Sequence, residues 1–314
     1  MSKVVATGKH WKGFAAIRHL VVLCVELVMP ANFNADVMHF FASGASYSSI
    51  GYLSSEPHPT PDEPLGVPWP GSTVTEPVGK ANWVGHLVKD FAKDLLVYDY
   101  AVAGAGIDHM AKHQIEEHFM TSVGLKPEWA PWTAGDALFV IWMGMNDLGP
   151  RFPTDEEMAA KLDKLFEQQA TLYNVGARNF LFVDVMPMHR TPAAGKSRAS
   201  ERERRAGLFN KWNAMLAKRI ERFASSTHEE AGSNHQEDVT ALLFSSHDFF
   251  TRLFDDPTAF GFAQADKEKG GRMWADDIHP VSKVHWFIAR DFSDFVRSVR
   301  PFAADIAAEN VAGT

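Results

Sequence analysis

Apolar and polar positions along the chain follow two rhythms. Short, mostly apolar runs recur at Leu20–Met29, Val37–Ala42, Leu96–Val102, Ala137–Met143, Asn179–Val185 and Val239–Phe244. Runs of this length read as buried strands or buried segments. Between them lie longer stretches with apolar residues at helical spacing. Asn82–Leu95 carries Trp83, Val84, Leu87, Phe91 and Leu95; the others are Ile107–Val123, Asp155–Val175 with Thr154 available as N-cap, Arg202–Phe223 and Val281–Arg300. Ser54 to Pro77 holds seven prolines and two glycines, which marks a surface loop. Strands separated by helices of this length predict an α/β fold, with a central parallel sheet covered by helices on both faces. In such sheets functional groups gather at the carboxyl ends of the strands. No internal repeat interrupts the pattern, and residues 1–314 are expected to form a single domain.

Composition narrows the function. Apolar residues make up 46% of 314, enough for a full core. The net charge of −8 is dispersed, which excludes the basic footprint of a nucleic-acid binder. The one dense cluster, Ser200-Glu-Arg-Glu-Arg-Arg205, mixes signs and reads as a solvated helix start. Cys24 is the only cysteine, so no intramolecular disulfide forms. No Asn-x-Ser/Thr sequon occurs. Lys3, Lys9, Lys12 and Arg18 precede the run Leu20–Met29, which is too short for a membrane span and starts late for a signal peptide. The expectation is an intracellular, monomeric protein without stable membrane insertion.

Four blocks at strand ends carry candidate chemistry. Ser43-Gly44-Ala45-Ser46 follows Val37–Ala42, and Ala103-Gly104-Ala105 follows Leu96–Val102. Gly144-Met145-Asn146-Asp147 follows Ala137–Met143, and Asp276-Asp277-Ile278-His279-Pro280 lies near the C-terminus. An ester hydrolase needs a hydroxyl nucleophile, a base, a group that orients the base, and donors for the oxyanion. Ser46 between small residues suits the nucleophile. The spacing Asp276-x-x-His279 sets a carboxylate beside an imidazole. The backbone N–H groups of Ser46 and Gly104 and the side-chain amide of Asn146 supply three donors. Each block alone also has a plain reading: a turn glycine, an Asn-Asp turn, a surface Asp–His pair. Their order and placement together favour chemistry. Competing motifs are incomplete. Gly104-Ala-Gly106 lacks the third dinucleotide-loop glycine, where His109 stands, and no acidic residue follows at the expected strand end. His109 and His113 lack the glutamate of a zinc-protease helix and read as a solvated face. Ser48 replaces the second glycine of a Gly-x-Ser-x-Gly elbow. Trp142 and Trp274 flank the blocks, and core packing is favoured for both over stacking on a sugar.

Ser46, Gly104, Asn146 and His279, with Asp276 three residues before the histidine, resemble the four blocks of the SGNH (GDSL-type) hydrolases. Trp11–Leu20, Tyr98–Val102, Val185-Met-Pro187, Phe244–Phe262 and Asp276–Pro280 with His285 following are similar to fungal acetylesterases of carbohydrate esterase family 16. The resemblance implies a flavodoxin-like three-layer sandwich and a triad of Ser46, His279 and Asp276. It implies an oxyanion hole of Ser46, Gly104 and Asn146, with no metal and no organic cofactor. The implied substrate is a small-molecule or oligosaccharide ester from which a short acyl group, acetyl first, is removed. Acyl transfer to a sugar, or a catalytically impaired carbohydrate-binding relative, are the alternatives, and the resemblance leaves secretion open. Two departures stand out. The family usually reads Gly-Asp-Ser where this chain has Gly44-Ala45-Ser46. Its first strand, here His19–Leu23, runs straight into the nucleophile block, so the stretch 24–43 is expected to be an insertion such as a retained intron would leave.

Overall fold

The structure, a computed structural model, describes residues 1–23, 45–55, 57–75, 79–102, 104, 106–149, 152–226 and 239–302. Six strands form one sheet: β1 (Lys3–Ala6), β2 (His19–Leu23), β3 (Leu96–Asp99), β4 (Ala137–Trp142), β5 (Asn179–Val183) and β6 (Thr240–Phe244). Their order is β1-β6-β5-β4-β2-β3. Strands β2 to β6 run parallel, and β1 pairs antiparallel with β6 at one edge. The fold is therefore the α/β class that the alternation of runs predicts. Strand β1 was not legible, because four residues with an exposed Val4 carry no burial signal of their own. The apolar run from Leu20 is strand as far as Leu23. The rest of it, Val37–Ala42 and the expected insertion at 24–43 lie outside the described residues.

The helices are α1 (Trp83–His86), α2 (Ile107–His109), α3 (Met145–Leu148), α4 (Asp155–Asn174), α5 (Ala199–Ser226), α6 (Ser246–Asp255) and α7 (Ser282–Ser298). Helix α1 continues through Leu87–Phe91, and α2 through Met110–Phe119, as wider i→i+5 turns. Ala92 N–H donates to the Leu87 carbonyl and Met120 N–H to that of Ile115. Thr154 caps α4 as expected, and Glu157 returns a bond to the Thr154 N–H.

Strand register assigns the layers. Phe180 and Phe182, two residues apart on β5, meet Phe166 of α4 and Phe223 of α5. Phe139, the lateral neighbour of Phe180, meets Phe119 on the same face. Phe244 lies beside Val183 and so points the other way, onto Phe292 of α7. Trp83 of α1 packs on Phe292 and Trp142 there. All the residues of β2, β4, β5 and β6 are buried, which explains their continuous apolar runs.

Two strand ends are closed by specific contacts. After β4 the chain turns at Gly144, with φ of 116°, and the indole of Trp212 lies against it. A Cβ at Gly144 would sit 2.4 Å from Trp212 Nε1. After β5, the buried carboxylate of Asp184 accepts hydrogen bonds from Ser245 Oγ at 2.7 Å and the His247 N–H at 2.8 Å, while Ser246 Oγ donates to the Asp184 main-chain carbonyl at 2.5 Å. These bonds fasten β5 to the start of α6. Burial pushes Asp184 up from 3.8 to about 6, against the pull of those donors.

Gly144→Ala is expected to combine left-handed backbone strain with overpacking against Trp212, lowering stability by about 2–5 kcal/mol in a urea titration. Asp184 links stability to pH. Its folded pKa lies above the unfolded value, so its contribution is complete below about pH 4 and is lost as pH rises through about 6. Between pH 4 and 7 the unmodified chain should lose up to about 3 kcal/mol that Asp184→Asn does not, seen as a shallower pH slope in the variant.

Candidate active site

The parallel strands set the site's geometry before any side chain is considered. Strand β2 lies between β3 and β4. Ser46 follows β2 in the chain, in the short turn Ala45–Tyr47. Gly104 follows β3 with φ of 88°, and Asn146 lies in α3, just beyond β4. The residues expected from sequence thus follow three neighbouring strands.

Asp276 and His279 occupy a loop immediately before α7. The loop folds on the Asp276 carboxylate: Oδ1 accepts the N–H of Ile278 at 2.8 Å and that of His279 at 2.7 Å. Ala275 N–H closes the turn onto the His279 carbonyl at 2.8 Å. Oδ2 is 2.5 Å from His279 Nδ1, and on the other side of the ring Nε2 is 2.6 Å from Ser46 Oγ. A carboxylate only accepts, so Nδ1 carries the proton, and Nε2 is left to accept from the Ser46 hydroxyl. Ser46 and His279 are buried, while the Asp276 side chain is half-exposed. Burial alone would raise the Asp276 carboxyl. The bonds and charge of His279 and the N–H of Ile278 outweigh it and hold it below its ordinary range. The arrangement can withdraw a hydroxyl proton into an imidazole whose positive form a carboxylate supports.

One short segment anchors both halves of this line. Asn82, fully buried, donates from Nδ2 to the carbonyls of Ser48 at 2.7 Å and Ser49 at 2.9 Å, while its Oδ1 caps α1. Trp83 Nε1 donates to Ser48 Oγ at 2.9 Å. Ala81 accepts from Ser282 Oγ at 2.7 Å, at the first turn of α7. Tyr47 makes a direct link: its hydroxyl donates to the Ile278 carbonyl at 2.5 Å.

A second serine–histidine–aspartate line lies nearby and differs in proton direction. His86 Nε2 is 2.9 Å from Ser282 Oγ, and His86 Nδ1 is 3.2 Å from Asp90. Ser282 gives its one hydroxyl proton to the Ala81 carbonyl, so that proton is not available to His86. This line fastens α7 to α1. His285, fully buried and edge-on to Tyr47, is held neutral by burial and by His86 and His279.

Sequence reasoning passed over Asp147 and Tyr47. Asp147 Oδ1 accepts the Ile107 N–H at 2.9 Å, and a Cβ at Gly106 would meet it at 2.6 Å. It therefore ties the start of α2, next to Gly106, to α3, which carries Asn146. Burial raises its carboxyl, partly offset by the Ile107 N–H and by Lys161 Nζ at 3.8 Å. The signal was its place directly after Asn146, as that of Tyr47 was directly after Ser46. Trp142 and Trp274 are both core. Trp142 meets Tyr47 edge-on, and Trp274 packs on Phe254 with Nε1 bonded to the Lys267 carbonyl. His113 sits on an exposed face paired with Glu117.

Among the described residues no group of three or more His, Cys, Asp and Glu side chains is placed to hold a metal ion, and no helix is long and apolar enough to cross a membrane. Residues 32–292 match the GDSL-like lipase/acylhydrolase family. The match begins inside the 24–43 stretch and takes in Ser46, Gly104, Asn146, Asp276 and His279. An acetylesterase of Thermothelomyces thermophilus is 31% identical over 288 residues, which is 83% of this chain and 89% of that protein. On the extent of the family match and the identity to this relative, the chain belongs to the GDSL-like lipase/acylhydrolase family.

Proposed function

We propose that the chain, as one hydrolase domain, removes short acyl groups, acetyl first among them, from carbohydrate or small-alcohol esters. The observation that carries the reading is the unbroken line from Ser46 Oγ through His279 to Asp276, at 2.6 and 2.5 Å. Family membership supports acyl hydrolysis, and the relative named an acetylesterase supports a small acyl group.

Ser46 Oγ attacks the ester carbonyl carbon while its proton passes to His279 Nε2. The imidazolium is stabilised through Nδ1–H by Asp276, which stays ionised. The oxyanion takes hydrogen bonds from the Ser46 and Gly104 N–H groups and the Asn146 side-chain amide; one such donor is typically worth about 3–4 kcal/mol of barrier. Collapse breaks the bond to the alcohol oxygen, which leaves with the proton from Nε2. A water molecule then gives its proton to Nε2 and attacks the acyl-serine carbon. Release of the acid returns the proton to Ser46. These steps require no metal or organic cofactor. Ala45 motivates the impaired sugar-binding alternative, but it is not a member of the proton line, and the intact line favours turnover.

Purified chain should hydrolyse p-nitrophenyl acetate faster than long-chain p-nitrophenyl esters, and a fluorophosphonate should label Ser46 and not Ser282. Ser46→Ala should lower kcat by about ten-thousandfold or more and abolish labelling. Retention of full acetate hydrolysis by Ser46→Ala would sink the reading. Asp276→Asn should lower kcat by about a thousandfold or more with little change in KM. Its amide would donate to Nδ1, move the proton to Nε2 and leave that nitrogen unable to accept from Ser46.

A further inference from the structure

We infer that Tyr47 is a positioning residue that holds the base loop in register with the nucleophile through its hydroxyl bond to the Ile278 carbonyl. The inference rests on the esterase reading above. Two neighbouring residues of the nucleophile turn meet two neighbouring residues of the base loop. Ser46 meets His279 at 2.6 Å, and Tyr47 meets Ile278 at 2.5 Å. Two bonds between rigid pairs fix a direction as well as a distance, which one bond does not.

The two bonds fare differently during turnover. The Ser46–His279 bond depends on the hydroxyl proton. Once Oγ is acylated it has no hydrogen to donate, and Nε2 must turn its lone pair to water. The Tyr47–Ile278 bond involves no reacting atom and persists through every step. The phenol is wholly buried, and burial with the nearby Asp276 raises its pKa well above the ordinary value, so it remains a neutral donor. Its ring is confined by Trp142 at 5.8 Å, His285 at 5.7 Å and Phe250 at 6.2 Å, so the hydroxyl has little freedom to leave. Asn82 and Trp83 hold the segment at Ser48 and Ser49, and Tyr47 joins it directly to the base loop.

Tyr47→Phe keeps the ring and removes only the bond. A misplacement of reacting groups by about 1 Å costs about a hundredfold in rate. The expected result is a kcat for p-nitrophenyl acetate reduced about ten- to a hundredfold, with KM within about twofold, and a fluorophosphonate labelling rate at Ser46 reduced in parallel. Phe166→Leu serves as the stability control, because it loosens the core between α4 and β5, on the sheet face away from Tyr47. It should lower Tm while leaving kcat and labelling within about twofold, with assays run at a temperature where all variants are folded. Unchanged kcat and labelling in Tyr47→Phe, or a loss no larger than that of Phe166→Leu, would overturn the positioning role alone. An unmodified chain no more active or labelled than Ser46→Ala would overturn the esterase reading, and this role with it.

Discussion

The contact between Ser46 Oγ and His279 Nε2 joins residues 233 positions apart, and most of the surrounding structure serves to hold it. Neither residue lies on a strand. Ser46 follows β2, the strand beside the edge strand β3, and His279 lies in a loop just before α7. The two come together because residues 81–83 reach both ways. Asn82 and Trp83 grip Ser48 and Ser49, and Ala81 takes the hydroxyl of Ser282. Three hydrogen bonds to one side and one to the other tie both elements to residues 81–83, at the start of α1. Each replaces a bond to water, so its net contribution is about 1 kcal/mol. The value of the set lies in placement, since it ties the segment after Ser46 and the start of α7 to one short stretch of chain.

The electrostatic environment separates groups of like chemistry. Asp99, Asp147 and Asp276 are all carboxyls that follow or neighbour the strand ends of the site. Asp99 and Asp147 are deeply buried, and their carboxyls are pushed up. Asp276 is half-exposed and accepts bonds from Ile278 and His279, and its carboxyl is held down. Burial also acts on His285, which is sealed behind Tyr47 and kept neutral. Burial decides which carboxyl can support a positive imidazole, and it singles out the one beside His279.

The sequence made the sheet legible where the strands are buried on both faces. The runs at Ala137, Asn179 and Val239 are mostly apolar because helices cover both sides of β4, β5 and β6. Helix α4 was legible from its Thr154 cap. The antiparallel edge strand β1 was not, because pairing with β6 rather than its own residues makes it a strand. Strand β3 stops at Asp99, short of the apolar run, because the Asp99 carboxylate takes the Ala101 N–H at 2.8 Å and turns the chain. In the site, Asp276 and His279 were legible as a pair because their contact is local. The approach of Ser46 to them depends on sheet order and on Asn82, which in sequence is only the first residue of a helical stretch.

Tyr47 shows why such residues escape a reading by type. An aromatic beside a serine, in a chain where 12% of residues are aromatic, is most simply core, and the Tyr47 ring is core. Its single polar atom gives the residue a second task. The Ile278 carbonyl, one residue before the base, accepts its hydrogen bond without touching the reacting atoms. A buried phenol left without an acceptor carries a desolvation cost. The bond therefore favours the position of the base loop in which His279 meets Ser46. The same bond that completes the core also reports that the proposed catalytic line is assembled.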